Sequence, residues 1–382
     1  MIYKIIAQSA VEDLFRGLQE TYDEVVGPQK RGPAFAFDKL TDVGELCLNY
    51  DTTILPPTKY FLAPEERLFR FNRKTSEVYD TEPTVIRRAI FGMHPCDINA
   101  LHLLDEIFLA EYVDPYYETA RKNTFVIGVS CMPTKGHICN AFGADEVHRG
   151  FDIFLTNLGD RYFMSLRSVP AAELVDRYVT TTDPTSDDLS DFQERTDRFK
   201  GSFTEAPKMD QLPLLYGAKY NDEDLWERIG DSCLGCGACA AVCPVCYCFD
   251  VCDKVDAAGE VGLRTRIWDS CLNSEHAEVA HAHNFRPTRA SRVRYRFFHK
   301  FVGNFSRTGN MLCVGCGRCY RSCKVGISPQ SVIEALQYND DAPHPTFTPC
   351  SPAVLAADRA AAETARAIAA KTNAGAKGGG RS

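Results

Sequence analysis

The sequence predicts an α+β protein in two unequal parts, an N-terminal α/β segment followed by a small, cysteine-dense domain. Two observations carry this reading. Strand-like and helix-like apolar patterns alternate through the first 180 residues, and twelve of the 17 cysteines are packed between Cys233 and Cys323. At 382 residues the chain has room for two domains of roughly 100–200 residues each. With 45% hydrophobic and 25% charged residues the composition is globular, and no apolar run approaches the roughly 20 residues a membrane span requires. A net charge of -8 argues against nucleic acid as a partner, because phosphate binding demands excess Lys and Arg. The opening MIYKIIAQSAVEDLF places acidic residues where a secretory signal would be apolar, and no twin arginine stands near it, so a cytoplasmic location is expected. In a reducing compartment an odd and large number of thiols points to metal or redox chemistry rather than to disulfides.

The elements follow in order. From residue 84, TVIRRAIFGM reads as a buried strand, and Asp97 is placed to cap the helix INALHLLDEIFL, which delivers Cys96 to a helix N-terminus. A second strand, TFVIGVS, ends at Cys131; a loop with Cys139 then leads to a hairpin of FDIFLTN and RYFMSLRS around Leu158-Gly159-Asp160. These make residues 1–180 an α/β domain. The polar stretch 181–224, interrupted by Pro and Gly, reads as a linker with one helix at 188–199. Residues 225–340 form the cysteine-rich domain. In 341–382, an Ala-rich helical stretch at 352–371 precedes a disordered tail, AGAKGGGRS.

The cysteine pattern is specific. Cys233, Cys236, Cys239 and Cys243 have the spacing C-x2-C-x2-C-x3-C, closed by Pro244, and Cys313, Cys316, Cys319 and Cys323 repeat it. Three thiolates at this spacing wrap a loop around one corner of a cubane, while the fourth rides a short helix away to the other cluster. Gly235, Gly237, Gly315 and Gly317 let backbone N–H groups approach the sulfides. The cassettes therefore predict two crossed 4Fe-4S clusters, one on Cys233, Cys236, Cys239 and Cys323, the other on Cys313, Cys316, Cys319 and Cys243. Zinc, which takes paired C-x2-C ligands, fits triplets with a fourth cysteine poorly. Lys324 stands where the second cassette would carry proline, a change that leaves the ligands intact.

About seventy residues separate the cassettes and must fold over the clusters. They include Cys246, Cys248, Cys252 and Cys271, read as buried small hydrophobes beside the clusters, with a further metal site as the alternative. YCFDVCDKV alternates like a strand, placing Cys248, Asp250 and Cys252 on one face. The basic run RPTRASRVRYRFFHKFVGNFSR reads as a helix with a Val293, Phe297, Phe301 apolar face and a solvated charged face. Its cations could also raise the potential of a negatively charged cluster or dock an acidic partner.

Taken in order, FGMHPCDINAL, GFDIFLTNLGDRYF, DSCLGCGACAAVCPVCYCFDV, RTRIWDSC, HNFRPTRASRVRYRFFHK and CVGCGRCYRSCKVGI resemble the iron–sulfur beta subunit of cytoplasmic NiFe hydrogenases of the sulfhydrogenase type, and its relative, the iron–sulfur subunit of anaerobic sulfite reductase. The likeness spans roughly residues 84–335. It implies an electron-transfer subunit between a flavoprotein that handles FAD and NAD(P)H and a catalytic oxidoreductase subunit, with a NiFe hydrogenase as the leading partner and a sulfite reductase as the alternative. An iron–sulfur redox sensor is the reading from a different class, and two complete ligand sets without an output module weigh against it. The chain has no Gly-rich dinucleotide fingerprint, so hydride chemistry belongs to the partner. In the family the loop after the second strand carries a C-F-C triplet, where this chain has His137-Ile138-Cys139. Cys96, Cys131, His137 and Cys139 are thus the candidate ligands of a third cluster, against the plainer reading of core thiols and a solvated histidine.

Overall fold

The computed structural model describes residues 1–203 and 207–338, with a few single positions beyond 338. Its N-terminal part folds as β1 (Ile2–Ala7), β2 (Glu24–Arg31), β3 (Ala34–Lys39), β4 (Glu65–Asn72), β5 (Val78–Tyr79), β6 (Arg88–Met93), β7 (Thr124–Val129), β8 (Ile153–Asn157) and β9 (Arg161–Leu166). Seven of these form one sheet in the order β1-β9-β8-β7-β6-β2-β3. Its centre, β2-β6-β7-β8, is parallel, and antiparallel partners flank it on both sides. Parallel strands covered on both faces read as continuous apolar runs. Hence RAIFGM and TFVIGV carry so little polarity, and Ile90, Phe91 and Ile127 are wholly buried.

Because β6 and β7 are parallel neighbours, the residues after their carboxyl ends, His94-Pro95-Cys96 and Ser130-Cys131, lie at the same edge of the sheet. The helix Pro95–Phe108 starts there with His94 as its N-cap. Pro95 occupies the first turn, where a missing N–H has no helical partner to lose. Asp97, expected from the sequence to cap this helix, does something else. Its carboxylate is buried and paired with Arg318, a residue 221 positions away that the sequence order gave no reason to place there.

The stretch 181–224 carries the helices Ser186–Gly201 and Leu212–Ala218, and the helix Glu223–Ser232 leads into the first cassette. The insertion between cassettes adds β10 (Phe249–Val255) and β11 (Val261–Trp268), and β11 pairs with β4 to give a second sheet, β10-β11-β4-β5. N-terminal part and insertion thus share a sheet, pinned by Arg266 of β11 against Glu66 and Asp114. The helix Arg289–Phe298 buries Val293 and Phe297, and Phe301 just beyond it, as their spacing predicts. Its charged side, however, does not meet water: Arg289, Arg292, Arg296 and Lys300 are all buried, because that side packs on the cassettes, whose carbonyls and sulfurs receive several of the donors. Apart from a few single positions, the Ala-rich stretch and the tail lie outside the described residues. Among the described residues no helix is long and apolar enough to cross a membrane.

Candidate iron–sulfur site

The two cassettes fold alike. In each, both glycines adopt left-handed backbone, Gly235 and Gly237 at φ 66° and 70°, Gly315 and Gly317 at 59° and 71°. Gly237 and Gly317 each open a short helix, Ala238–Ala241 and Arg318–Ser322, and the two helices pack against each other. Gly315 is needed for space as well as for conformation, since a Cβ there would come within 2.4 Å of the Ile138 backbone. The N–H of Gly235 points at the Cys233 Sγ at 3.4 Å, and that of Ile327 at the Cys323 Sγ at 3.3 Å. Such N–H groups solvate sulfur that carries negative charge.

Two cavities lie between the cassettes and mix their walls, and a third, lined by Cys236, Cys243, Cys246 and Cys248, opens beside them. Of the first two, one is lined by Cys233, Cys236, Cys239 and Cys323. The other is lined by Cys243, Cys313, Cys316 and Cys319. Cys319 and Arg296 lie on both walls. The sulfurs ring the spaces rather than converge on a point: among the described residues no three His, Cys, Asp or Glu side chains stand close enough to share a single metal ion. Eight thiols around two neighbouring cavities, with backbone N–H groups aimed at sulfur, fit the donor set of cubane clusters.

Burial pushes the Cys233 thiol up to about 11 and the Cys313 thiol up to about 12, so ligation by metal must release protons. Cys243 departs from this pattern. The neighbouring Cys246 thiol donates to it and, together with the charges of Lys300 and Arg296, holds it well below the usual thiol range against the opposing effect of burial. The Lys300 ammonium lies 3.2 Å from the Cys243 Sγ, and the Arg296 guanidinium 3.6 Å from the Cys246 Sγ. For both cations burial works against the charge, but the surrounding sulfurs reverse it and keep their pKa values above the ordinary range. The sequence showed these residues only as members of a basic run; what it did not show was that they face inward.

Of the other cysteines of the insertion, Cys246, Cys248 and Cys271 lie beside this centre, whereas Cys252, expected to be buried there, is on β10 and partly open to solvent, because that strand pairs with β11 in the second sheet. Cys248 and Cys271 interact through their thiols, which brings Cys248 down to about 7. Cys252 on β10 contacts the Asp250 carboxylate at 3.7 Å, as the strand alternation predicts.

In the N-terminal part, Cys96 and Cys139 are buried in one apolar cluster with Cys316 of the second cassette. Burial raises both, and Cys139 also feels the charge of Cys131, which burial itself pushes up to about 12. Cys131 lines a separate cavity with Pro95, Asp145 and Arg195. His137 accepts the Thr134 N–H through Nδ1 at 3.2 Å, while its Nε2 is buried without a hydrogen-bond partner. His94 repeats that situation: its ring stacks on Tyr50 at 3.9 Å and its Nε2 is equally unpartnered. Burial lowers both imidazoles, His137 to about 4, and His137 adds to the lowering of His94. Cys96 and Cys139 are thus brought together beside Cys316, while Cys131 acts on Cys139 from the neighbouring cavity, and among the described residues no three of the candidate ligands converge on one point. His94 was the residue the sequence reading missed, although it stands within FGMHPCDINAL directly before Pro95-Cys96.

Residues 232–327 match the family model of a 4Fe-4S dicluster domain. The chain is also 37% identical over 330 residues to sulfhydrogenase 2 subunit beta of Pyrococcus furiosus, an alignment covering 85% of this chain and 95% of that protein. The chain belongs to the sulfhydrogenase beta-subunit family. As a member of it, the chain is an iron–sulfur, electron-transfer protein of the oxidoreductase class. The dicluster match begins one residue before Cys233 and ends four after Cys323. It therefore spans the insertion, Arg296 and Lys300 included.

Proposed function

We propose that this chain is the iron–sulfur relay of a multisubunit oxidoreductase, passing electrons between a catalytic subunit of NiFe hydrogenase type and an NAD(P)H-linked flavoprotein subunit. The observation that carries the reading is the pair of adjacent cysteine-lined cavities with a shared wall, each of which includes the last cysteine of the other cassette, Cys323 in one and Cys243 in the other. Cys233, Cys236, Cys239 and Cys323 would hold one 4Fe-4S cluster, and Cys313, Cys316, Cys319 and Cys243 the other. Such clusters, when bound, take up and release single electrons. The chain's own residues fix their separation, exclude water and supply compensating charge. Cys96, Cys131 and Cys139 with His137 extend the same reading toward a third cluster, beside Cys316. At the opposite end, Cys236 and Leu234 are exposed, so the first cavity reaches the surface where a partner can dock. The relative's name, a beta subunit of a sulfhydrogenase, supports assembly with further subunits.

The test is anaerobic co-purification from the native source, followed by Cys236→Ala in the complex. The expected result is a flavoprotein and a nickel-containing partner, with overall turnover cut severely in the variant while dye reduction at the flavin end is kept. A sirohaem partner would reassign the terminal reaction to sulfite reduction. Turnover of hydrogen or NAD(P)H by the isolated chain would overturn the relay reading.

A further inference from the structure

The helix Arg289–Phe298 runs into a wider turn, His299–Gly303, with π-helical hydrogen bonding, a form that recurs at functional sites. Lys300 is held there from two directions. Its carbonyl accepts the N–H of Leu312 at 2.9 Å, one residue before Cys313, and its ammonium lies on the Cys243 Sγ. Arg296 donates from Nη2 to the Cys239 carbonyl at 2.9 Å and from Nη1 toward Cys246. The two cations are each 4% exposed, so water screens them little. Their reach differs: Arg296 lines both cavities, Lys300 only the one with Cys243, Cys313, Cys316 and Cys319. Other cations nearby are placed differently. Arg318, near Cys316, is neutralised by Asp97; Lys324, on the rim of the first cavity, is exposed; Arg289 donates to the Cys233 carbonyl on the first cassette.

We propose that Arg296 and Lys300 tune the two clusters separately: Arg296 raises the reduction potential of both, and Lys300 raises only that of the cluster held by the second cassette and Cys243. A fixed positive charge favours the reduced, more negative cluster, and an N–H donor on a ligand sulfur acts in the same direction. The inference rests on the two-cluster reading above.

The test is an EPR-monitored redox titration of the full chain, purified anaerobically, with Cys316→Ser identifying the second cassette's signal. In Lys300→Met that cluster should be at least tenfold harder to reduce at a given potential, a fall of about 59 mV for a one-electron couple, while the other is unmoved. Lys300→Arg should restore it, and Arg296→Met should lower both. Full iron content with unmoved potentials, or equal shifts of both clusters in Lys300→Met, overturns the proposal. Absence of iron and sulfide from the wild-type chain overturns instead the reading beneath it. Should Lys300→Met fail to retain iron, pulsed EPR on the wild-type chain labelled with nitrogen-15 lysine decides. A lysine coupling on the second cassette's signal is expected, whether or not Lys324 on the rim of the first cavity also couples to the other signal, and none on the second cassette's signal refutes the proposal.

Discussion

Arg318 and Asp97 form a two-pronged ion pair, with N···O distances of 2.6 and 2.8 Å and side chains 2% and 0% exposed. Arg318 opens the helix that follows Gly317 in the second cassette, and Asp97 lies in the first turn of the helix that starts after β6. Arg318 also donates to the carbonyl and hydroxyl of Thr53. One guanidinium thereby fastens the cluster cassette to the N-terminal sheet.

Removing one member of a buried pair leaves the other charge unpaired, which costs about 3–5 kcal/mol. Asp97→Ala should destabilise the chain by that order and loosen the second cassette. Denaturant unfolding of the metal-loaded protein, followed by cluster absorbance and far-UV circular dichroism, measures it. A loss below about 1 kcal/mol, the range of an exposed pair, would contradict the fastening role.

The sequence and the structure part company at this pair for a physical reason. Strand and helix patterns are local, and RAIFGM, TFVIGV, the hairpin around Gly159 and the Val293, Phe297, Phe301 face could all be read from neighbours along the chain. The cassettes were legible too, since their spacing is itself the signal. Which way a charged side chain points is decided by residues far away. Asp97 reads as a cap until Arg318 is folded against it, and Arg289, Arg292, Arg296 and Lys300 read as a solvated face until the cassettes cover them. His94 was hidden for the same reason, because its orphaned Nε2 exists only once Tyr50 is stacked on its ring.

Anaerobically purified chain should contain iron and acid-labile sulfide in comparable amounts, about eight of each if two 4Fe-4S clusters are present. Elemental analysis with a sulfide assay checks this. About two equivalents of zinc without sulfide would mean that the cassettes are structural.

The N-terminal thiols make a separate prediction. If Cys96, Cys131 and Cys139 hold a third cluster, iron should rise to about twelve per chain and fall back by about a third in Cys139→Ala. His137→Ala and His94→Ala then identify the fourth ligand, since only the ligating histidine should change this cluster's spectrum and potential, imidazole in place of thiolate leaving a cluster less negative. About eight irons, unchanged by Cys139→Ala, would mean that these thiols are core residues.

Metal loading should be proton-coupled. Thiols that burial holds above the ordinary range, Cys233 at about 11 and Cys313 at about 12, are protonated near neutrality and must lose those protons to bind. Their raised values also stabilise the metal-free fold below the unfolded thiol pKa of about 8.5, and this contribution is lost as pH rises through 11 to 12. Metal-free chain should therefore unfold more readily at pH 10 than at pH 7, compared in parallel denaturant titrations. Equal or greater stability at pH 10 would contradict the assignment.

The exchange of one cysteine between the cassettes is the claim on which the paired-cluster account depends, and Cys243→Ser tests it most directly. Cys243 follows Cys239 in sequence but lines the cavity of Cys313, Cys316 and Cys319. Mössbauer and EPR spectra of Cys243→Ser should lose or alter the same component that Cys316→Ser affects, with the component sensitive to Cys236→Ser intact. Loss confined to the component sensitive to Cys236→Ser would show that each cassette ligates its own cluster, and would contradict the account.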